Sequence, residues 1–243
     1  MSWHLGPLAP FDCETSGVSV WDDRIVTAFV GRVGAGIQPE KNDWLINPGV
    51  AIPDAATAIH KITTEHAVTY GQPAPVAIDE IARCLADALA EGIPVVGHNV
   101  SFDLTMLHFE CVRYGVPTVE QRLGRPLMPI IDSLLLDKQI DRYRKGSRRL
   151  VDVARHYGIN LSEIDAHGAE ADALAAARIV WRIGALRRPE LNLSLIDLHN
   201  AQVEWAIEQA ASFRAYLQRQ GKPCDDVDGI WPCKPARTSA VPA

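Results

Sequence analysis

The hydrophobic period changes part-way along this 243-residue chain, and that change restricts the folds open to it. The first third carries three short apolar or β-branched runs, Leu8–Glu14, Arg24–Val33 and Asp43–Asn47. Turn-forming residues such as Thr15-Ser16-Gly17 and Pro48-Gly49 stop them, and their close spacing predicts an antiparallel meander. Then the pattern becomes helical: Ile78, Ile81, Ala82, Leu85, Ala88 and Leu89 share one face, and Gly92 follows as a stop.

Beyond Gly92, short strands alternate with helices. Pro94–Gly97 and Met128–Asp132 read as buried strands. Ser101 is placed to cap a helix over Phe102–Tyr114, which Gly115 ends. Helical patterns follow around Leu134–Ile140, Leu150–Tyr157 and Ala169–Leu186, and a further amphipathic helix covers about Leu195–Arg219. Strand–helix–strand order argues for parallel pairing, so the expectation is an α/β fold. Its mixed sheet has three antiparallel strands, then two parallel ones, with helices on both faces and a C-terminal helical extension. Pro189 divides a main domain, 1–188, from 189–243, an amphipathic helix with a Pro-rich tail. The end of that tail is expected to be loose.

The charge balance excludes a protein that coats nucleic acid through bulk positive charge: 24 Lys+Arg against 30 Asp+Glu leaves −6. Cys13, Cys84, Cys111, Cys224 and Cys233 are odd in number and form no C-x-x-C pair. Cys224 and Cys233 have no third or fourth ligand nearby in sequence, so no zinc site is expected. The N-terminus lacks the pattern of a signal peptide, and charge interrupts every apolar run before it could span a bilayer. A cytoplasmic protein with no membrane partner is the expectation.

Several acids sit where burial would penalise them. Asp12 and Glu14, two apart at a strand end, point to one face and repel unless a cation lies between them. From spacing alone, both could instead lie in a solvated turn. Asp103 falls in the first turn of its helix, where acids also serve the helix dipole. Asp172 heads the stripe Ala175, Ala176, Ile179 and Ile183, so it faces inward. His167 lies five residues before it, beside Gly168. Element ends of a strand–helix fold can converge on one crevice, and four inward acids suit Mg²⁺ or Mn²⁺ better than zinc.

These residues carry a family resemblance. Phe11-Asp12-Cys13-Glu14-Thr15-Ser16-Gly17 resembles the first motif of the DEDD-type 3′–5′ exonucleases, and Gly97-His98-Asn99-Val100-Ser101-Phe102-Asp103 the second. His167-Gly168-Ala169-Glu170-Ala171-Asp172-Ala173 resembles the third in its His-x4-Asp form, that of the DEDDh branch. This branch includes the epsilon subunit of bacterial DNA polymerase III, RNase T and oligoribonuclease. Asn47-Pro48-Gly49 and Ala58-Ile59-His60-Lys61-Ile62-Thr63 are similar to intermediate segments of epsilon-like members, with Lys61 in place of the usual glycine. The C-terminal helix and Asp228-Gly229-Ile230-Trp231-Pro232 look like extensions of actinobacterial and actinophage relatives.

The resemblance implies an RNase H-like fold and hydrolysis of 5′-mononucleotides from DNA 3′ ends by two Mg²⁺ or Mn²⁺ ions. It implies that Asp12, Glu14 and Asp172 hold one ion, that Asp12 touches a second with Asp103 acting directly or through water, and that His167 is the general base. Thr15, Ser16, Ile59, His60, Asn99 and Phe102 would hold the terminal nucleotide, although Phe102 reads first as core. Arg142, Arg144, Lys145, Arg148 and Arg149 form a basic run, a solvated loop or a phosphate clamp in which Arg144 and Arg148 contact the strand. The alternatives are RNA trimming, proofreading beside a polymerase, or a non-catalytic binder. The Trp205/Phe213 stripe is a candidate for polymerase docking or self-association, or else for packing on the main domain.

Overall fold

The computed structural model describes residues 2–160 and 168–235. Strands β1 (Ala9–Thr15), β2 (Ile25–Arg32) and β3 (Glu40–Asn47) pair antiparallel, with Asp12 opposite Phe29 and Ala28 opposite Trp44. β3 begins three residues before its apolar pattern does, because polar Glu40, Lys41 and Asn42 continue the ladder along an exposed end. Helices α1 (Asp54–His60) and α2 (Thr64–Tyr70) then lead to β4 (Gln72–Pro73).

α3 (Ala74–Ala90) buries Ile78, Ile81, Leu85 and Leu89 completely. Each such side chain contributes about 1.5–3 kcal/mol relative to an exposed one. β5 (Val95–Gly97), α4 (Val100–Tyr114), α5 (Val119–Leu123) and β6 (Ile130–Asp132) follow, then α6 (Ser133–Ile140), α7 (Leu150–His156), α8 (Ala169–Ala185) and α9 (Leu195–Arg219).

The sheet order is β4-β3-β2-β1-β5-β6, with β5 parallel to β1 and β6 parallel to β5. The three antiparallel and two parallel strands expected are present, and β4, parallel to β3, is a sixth that the sequence reading omits. Period-two alternation divides the core between two faces. Val95 and Ile130 join the α3 and α4 side, whereas Val96 and Ile131 join Val153, Ile179, Ile183 and Leu198 on the other.

α9 lies along the outer strand. Ile130 N–H donates to His199 Nδ1 (3.1 Å) and Asp132 N–H to Gln202 Oε1 (2.7 Å), while Gln202 Nε2 donates to the Ile130 carbonyl (3.0 Å). Leu198 and Trp205 are buried, so the first half of the helix is docked; Phe213 and Tyr216, stacked on each other, are exposed in the second half. The tail is packed as far as Pro235, and the expectation of a loose end falls on residues outside the described ones. Trp231 is buried against the His199 ring, and Lys234 N–H donates to Thr105 Oγ1 (3.0 Å). The last eight residues, 236–243, lie outside the described ones. Among the described residues, no helix is long and apolar enough to cross a membrane.

Candidate active site

Alternation along β1 separates its side chains by chemistry. Phe11 and Cys13 are buried in the core beneath α3 and α4. Asp12 and Glu14 project to the opposite face, on which α8 packs through Ala169 and Ala173 against Phe29. The β1–β2 register shifts between Glu14 and Thr15, a bulge that ends regular pairing at the acids. Asp172 stands in the first turn of α8. Carboxylate oxygens of Asp12, Glu14 and Asp172 all lie within 4.8 Å of one another.

Asp103 arrives from α4 and is buried. Its Oδ1 accepts from Cys13 N–H (3.2 Å) and from the Cys13 thiol (3.1 Å), which ties the helix to the strand between the two acids. Close approach of β5 to β1 makes this possible. A Cβ on Gly97 would sit 2.9 Å from the Phe11 carbonyl and 2.8 Å from the Val100 side chain, so only glycine fits. Asn99, not Ser101, precedes the first turn of α4. It takes a left-handed conformation (φ 63°), with its N–H bound to Asp132 Oδ1 (2.9 Å). Ser101 is within the helix.

These acids repel each other strongly. Burial first, then Asp103, Asp172 and Glu14, push the Asp12 carboxyl well above the usual carboxylate range. Burial and Asp172 raise Glu14. Burial raises Asp103 to about 7 against the opposing pull of its Cys13 hydrogen bonds. Among the described residues, Asp12, Glu14 and Asp103 have no lysine or arginine ion-pair partner. An all-oxygen, anionic donor set fits a hard divalent cation such as Mg²⁺ or Mn²⁺.

The other sequence candidates divide into two groups. His60 is buried at the end of α1 against the Thr15 backbone, and Ile59 beside it is exposed. Asn99 is exposed, and Phe102 packs partly on the core. Thr15 Oγ1 donates to the Gly17 carbonyl (2.6 Å). By contrast, the Ser16 hydroxyl is committed to protein: it donates to Asp23 Oδ1 (2.9 Å) and accepts from Arg24 N–H (3.0 Å). Arg144 and Arg148 likewise turn inward. Both bind Oδ2 of Asp137, which is fully buried, at 2.8 and 2.5 Å; Tyr157 O–H donates to its other oxygen (2.9 Å). The outward charges of that run are Arg142, Lys145 and Arg149. His167 lies outside the described residues.

Sequence reasoning passed over Cys13, Asp132, Asp137 and His98. His98 bridges Ser133 Oγ (2.8 Å) and the Arg148 carbonyl (2.9 Å), joining the site to the basic loop. Asp132 carried a readable signal, an acid closing a strand just before a helix. It caps α6 through Leu134 N–H (2.9 Å).

A six-stranded mixed sheet of this order, with acids gathered from β1 and α8 and a fourth from α4 beside them, is the RNase H-like architecture. Solved structures share it. Exonuclease I from Methylocaldum szegediense aligns with TM-score 0.60 at 23% identity over 76% of this chain and 41% of that one. E. coli Exonuclease I in complex with a dA16 oligonucleotide aligns with TM-score 0.61 at 19% identity over 76% and 42%. Residues 10–180 match the RNase T exonuclease family, and the chain belongs to that family. A DNA polymerase III subunit epsilon-like protein of Rhodobacter capsulatus is 33% identical over 71% of this chain and 23% of its own length. A PolC-type DNA polymerase III of Lacticaseibacillus paracasei is 25% identical over 71% and 11%. The chain therefore spans less than a quarter of these curated relatives.

Proposed function

We propose that this protein is a DEDDh-type 3′–5′ exonuclease that releases 5′-mononucleotides from single-stranded or frayed DNA ends. The observation that carries the reading is the convergence of Asp12, Glu14 and Asp172 carboxylates within 4.8 Å. Asp12, Glu14 and Asp172 hold one Mg²⁺ or Mn²⁺, and Asp12 with Asp103, directly or through water, serves a second. When bound, such cations supply positive charge and Lewis acidity at the attacking and leaving oxygens of an in-line displacement. His167, one residue before the cap of α8, takes the proton of the attacking water. Water oxygen joins phosphorus, the P–O3′ bond breaks, and the shortened strand keeps its 3′-oxygen.

Thr15, Ile59, His60, Asn99 and Phe102 hold the terminal nucleotide. Outward Arg142, Lys145 and Arg149 follow the phosphates of the strand behind it. The exposed Phe213–Tyr216 pair of α9 is the surface for a polymerase or a second copy of this chain. The proposed domain division puts the nuclease in residues 1–188 and a covering helix and tail in 189–243.

The test is 5′-end-labelled DNA and RNA oligomers incubated with Mg²⁺. Wild type is expected to give a ladder shortening from the 3′ end of DNA, abolished by chelation and by Asp12→Ala. His167→Ala is expected to lose about 10²-fold or more in turnover while still binding DNA. Wild-type turnover after exhaustive chelation, or in Asp12→Ala, would refute the reading; a ladder on RNA alone would revise the substrate.

A further inference from the structure

A second group of ligating side chains lies outside the acidic cluster. His108 on α4, Glu120 on α5 and Cys233 in the C-terminal tail bring Nδ1, a carboxylate oxygen and Sγ within 4.8 Å of one another. The three come from three separate segments, and sequence distance hides them: Cys233 is 113 positions from Glu120. Two features mark the group as more than packing. His108 Nδ1 is buried and makes no hydrogen bond, and it is 3.6 Å from Glu120 Oε1, too far to form a good one. The Cys233 thiol lies beside the Thr105 side chain, and its carbonyl contacts are long, 3.9 Å to Leu104 and 3.6 Å to its neighbour's. Ligand atoms around a tetrahedral zinc stand about 3.3–3.8 Å apart, given bonds of about 2.0–2.3 Å. The His108–Glu120 separation already has that value.

We propose that His108, Glu120 and Cys233 form a transition-metal site, zinc by donor type, that fastens the C-terminal tail to α4. Imidazole, thiolate and one carboxylate select a borderline-soft ion, unlike the all-oxygen cluster across the sheet. On binding, the thiol proton of Cys233 leaves to solvent and its sulfur bonds the metal. The fourth position is left for water. The tail so held places Asp226 and Lys234 on the wall of a cleft of about 450 Å³ that Asn99 and Phe102 also line. The metal would thus fix one side of that cleft. The site stands apart from the nuclease reading, since none of its ligands belongs to the acidic cluster.

The experiment uses the full chain, stripped with chelator and titrated with Co²⁺. A thiolate-to-cobalt charge-transfer band in the near ultraviolet is expected, with tetrahedral ligand-field bands in the visible, all bleached by Zn²⁺. Cobalt in the acidic cluster has only oxygen ligands and gives no thiolate band. Cys233→Ser should abolish the band, with Cys13, Cys84, Cys111 and Cys224 still present. His108→Ala and Glu120→Gln should each weaken Co²⁺ binding beyond the roughly 10–100-fold that loss of an outer-shell partner costs. Far-ultraviolet circular dichroism establishes that each variant is folded. No band in wild type, a band retained in folded Cys233→Ser, or one unaffected by His108→Ala would overturn the site.

Discussion

Arg148 stands in the basic run that looks, in sequence, like a track for phosphates, yet its guanidinium is spent inside the protein. Arg148→Ala removes a charged hydrogen bond of 2.5 Å to Asp137 and a second of 2.5 Å to the Asp141 carbonyl. Asp137 is fully buried and would keep only Arg144 and the Tyr157 hydroxyl. Breaking a buried pair by deleting one partner costs about 3–5 kcal/mol, and the surviving arginine argues for the lower end. For a chain of this size that is a fall in Tm of about 6–12 °C, at about 2–4 °C per kcal/mol. The sign with pH follows from Asp137, whose carboxyl Arg144, Arg148 and Tyr157 together hold below the usual range despite its burial. Its stabilisation is therefore present above the unfolded value near pH 3.9 and is lost as pH falls through the lower folded one. The Arg148→Ala deficit should be full at pH 7 and close on acidification below about pH 4. Thermal melts by circular dichroism measure this. DNA binding against salt measures the rival role, because each lost phosphate contact on a single strand lowers the slope by about 0.7. Arg142→Ala should lower that slope and leave Tm alone. An Arg148→Ala protein that melts like wild type and loses slope would refute the structural assignment.

Asp103 and Lys61 yield two further predictions. Burial raises Asp103 to about 7 in the folded protein, so its ionisation costs stability progressively as pH rises from about 4 towards 7. In chelator, Asp103→Asn should accordingly be more stable than wild type at pH 8, by about 4 kcal/mol at most, with the gap vanishing below about pH 4 in urea titrations. A gap that does not vary with pH would contradict the shift. Lys61 ends α1 in the left-handed region at φ 65°, a conformation costing a non-glycine residue about 1–2 kcal/mol, part of which glycine's extra chain entropy offsets. Lys61→Gly should then gain about 0.5–1 kcal/mol in the same titrations, and a loss would show that the Lys61 Nζ bond to the Ala58 carbonyl outweighs the backbone cost.

Much of this architecture is written in local pattern. β1 announces itself through a short apolar run, β2 through a β-branched one, and α3 and α8 through apolar stripes, because burial leaves a pattern that neighbours cannot disguise. The D-x-E spacing of Asp12 and Glu14 works the same way, since a strand fixes which residues share a face. What stayed hidden depends on contacts between distant segments. Arg144 and Arg148 read as solvent-facing because nothing in the run reveals Asp137 beneath it. Asn99 begins α4 ahead of the better capping residue Ser101 because β5 stops at Gly97 against Phe11 and an acid from β6 waits for the Asn99 N–H. β4 is two residues long and includes a proline, too little for any period to register.

The side chains of His199 and Gln202 do for β6 what a seventh strand would do. They meet the main-chain groups of Ile130 and Asp132 that otherwise stand ready to recruit an intruding chain. The helix that bears them is thus a seal on the nuclease fold as well as an appendage to it. A protein cut back to residues 1–188 would bare a sticky margin and gain a tendency to self-associate through it.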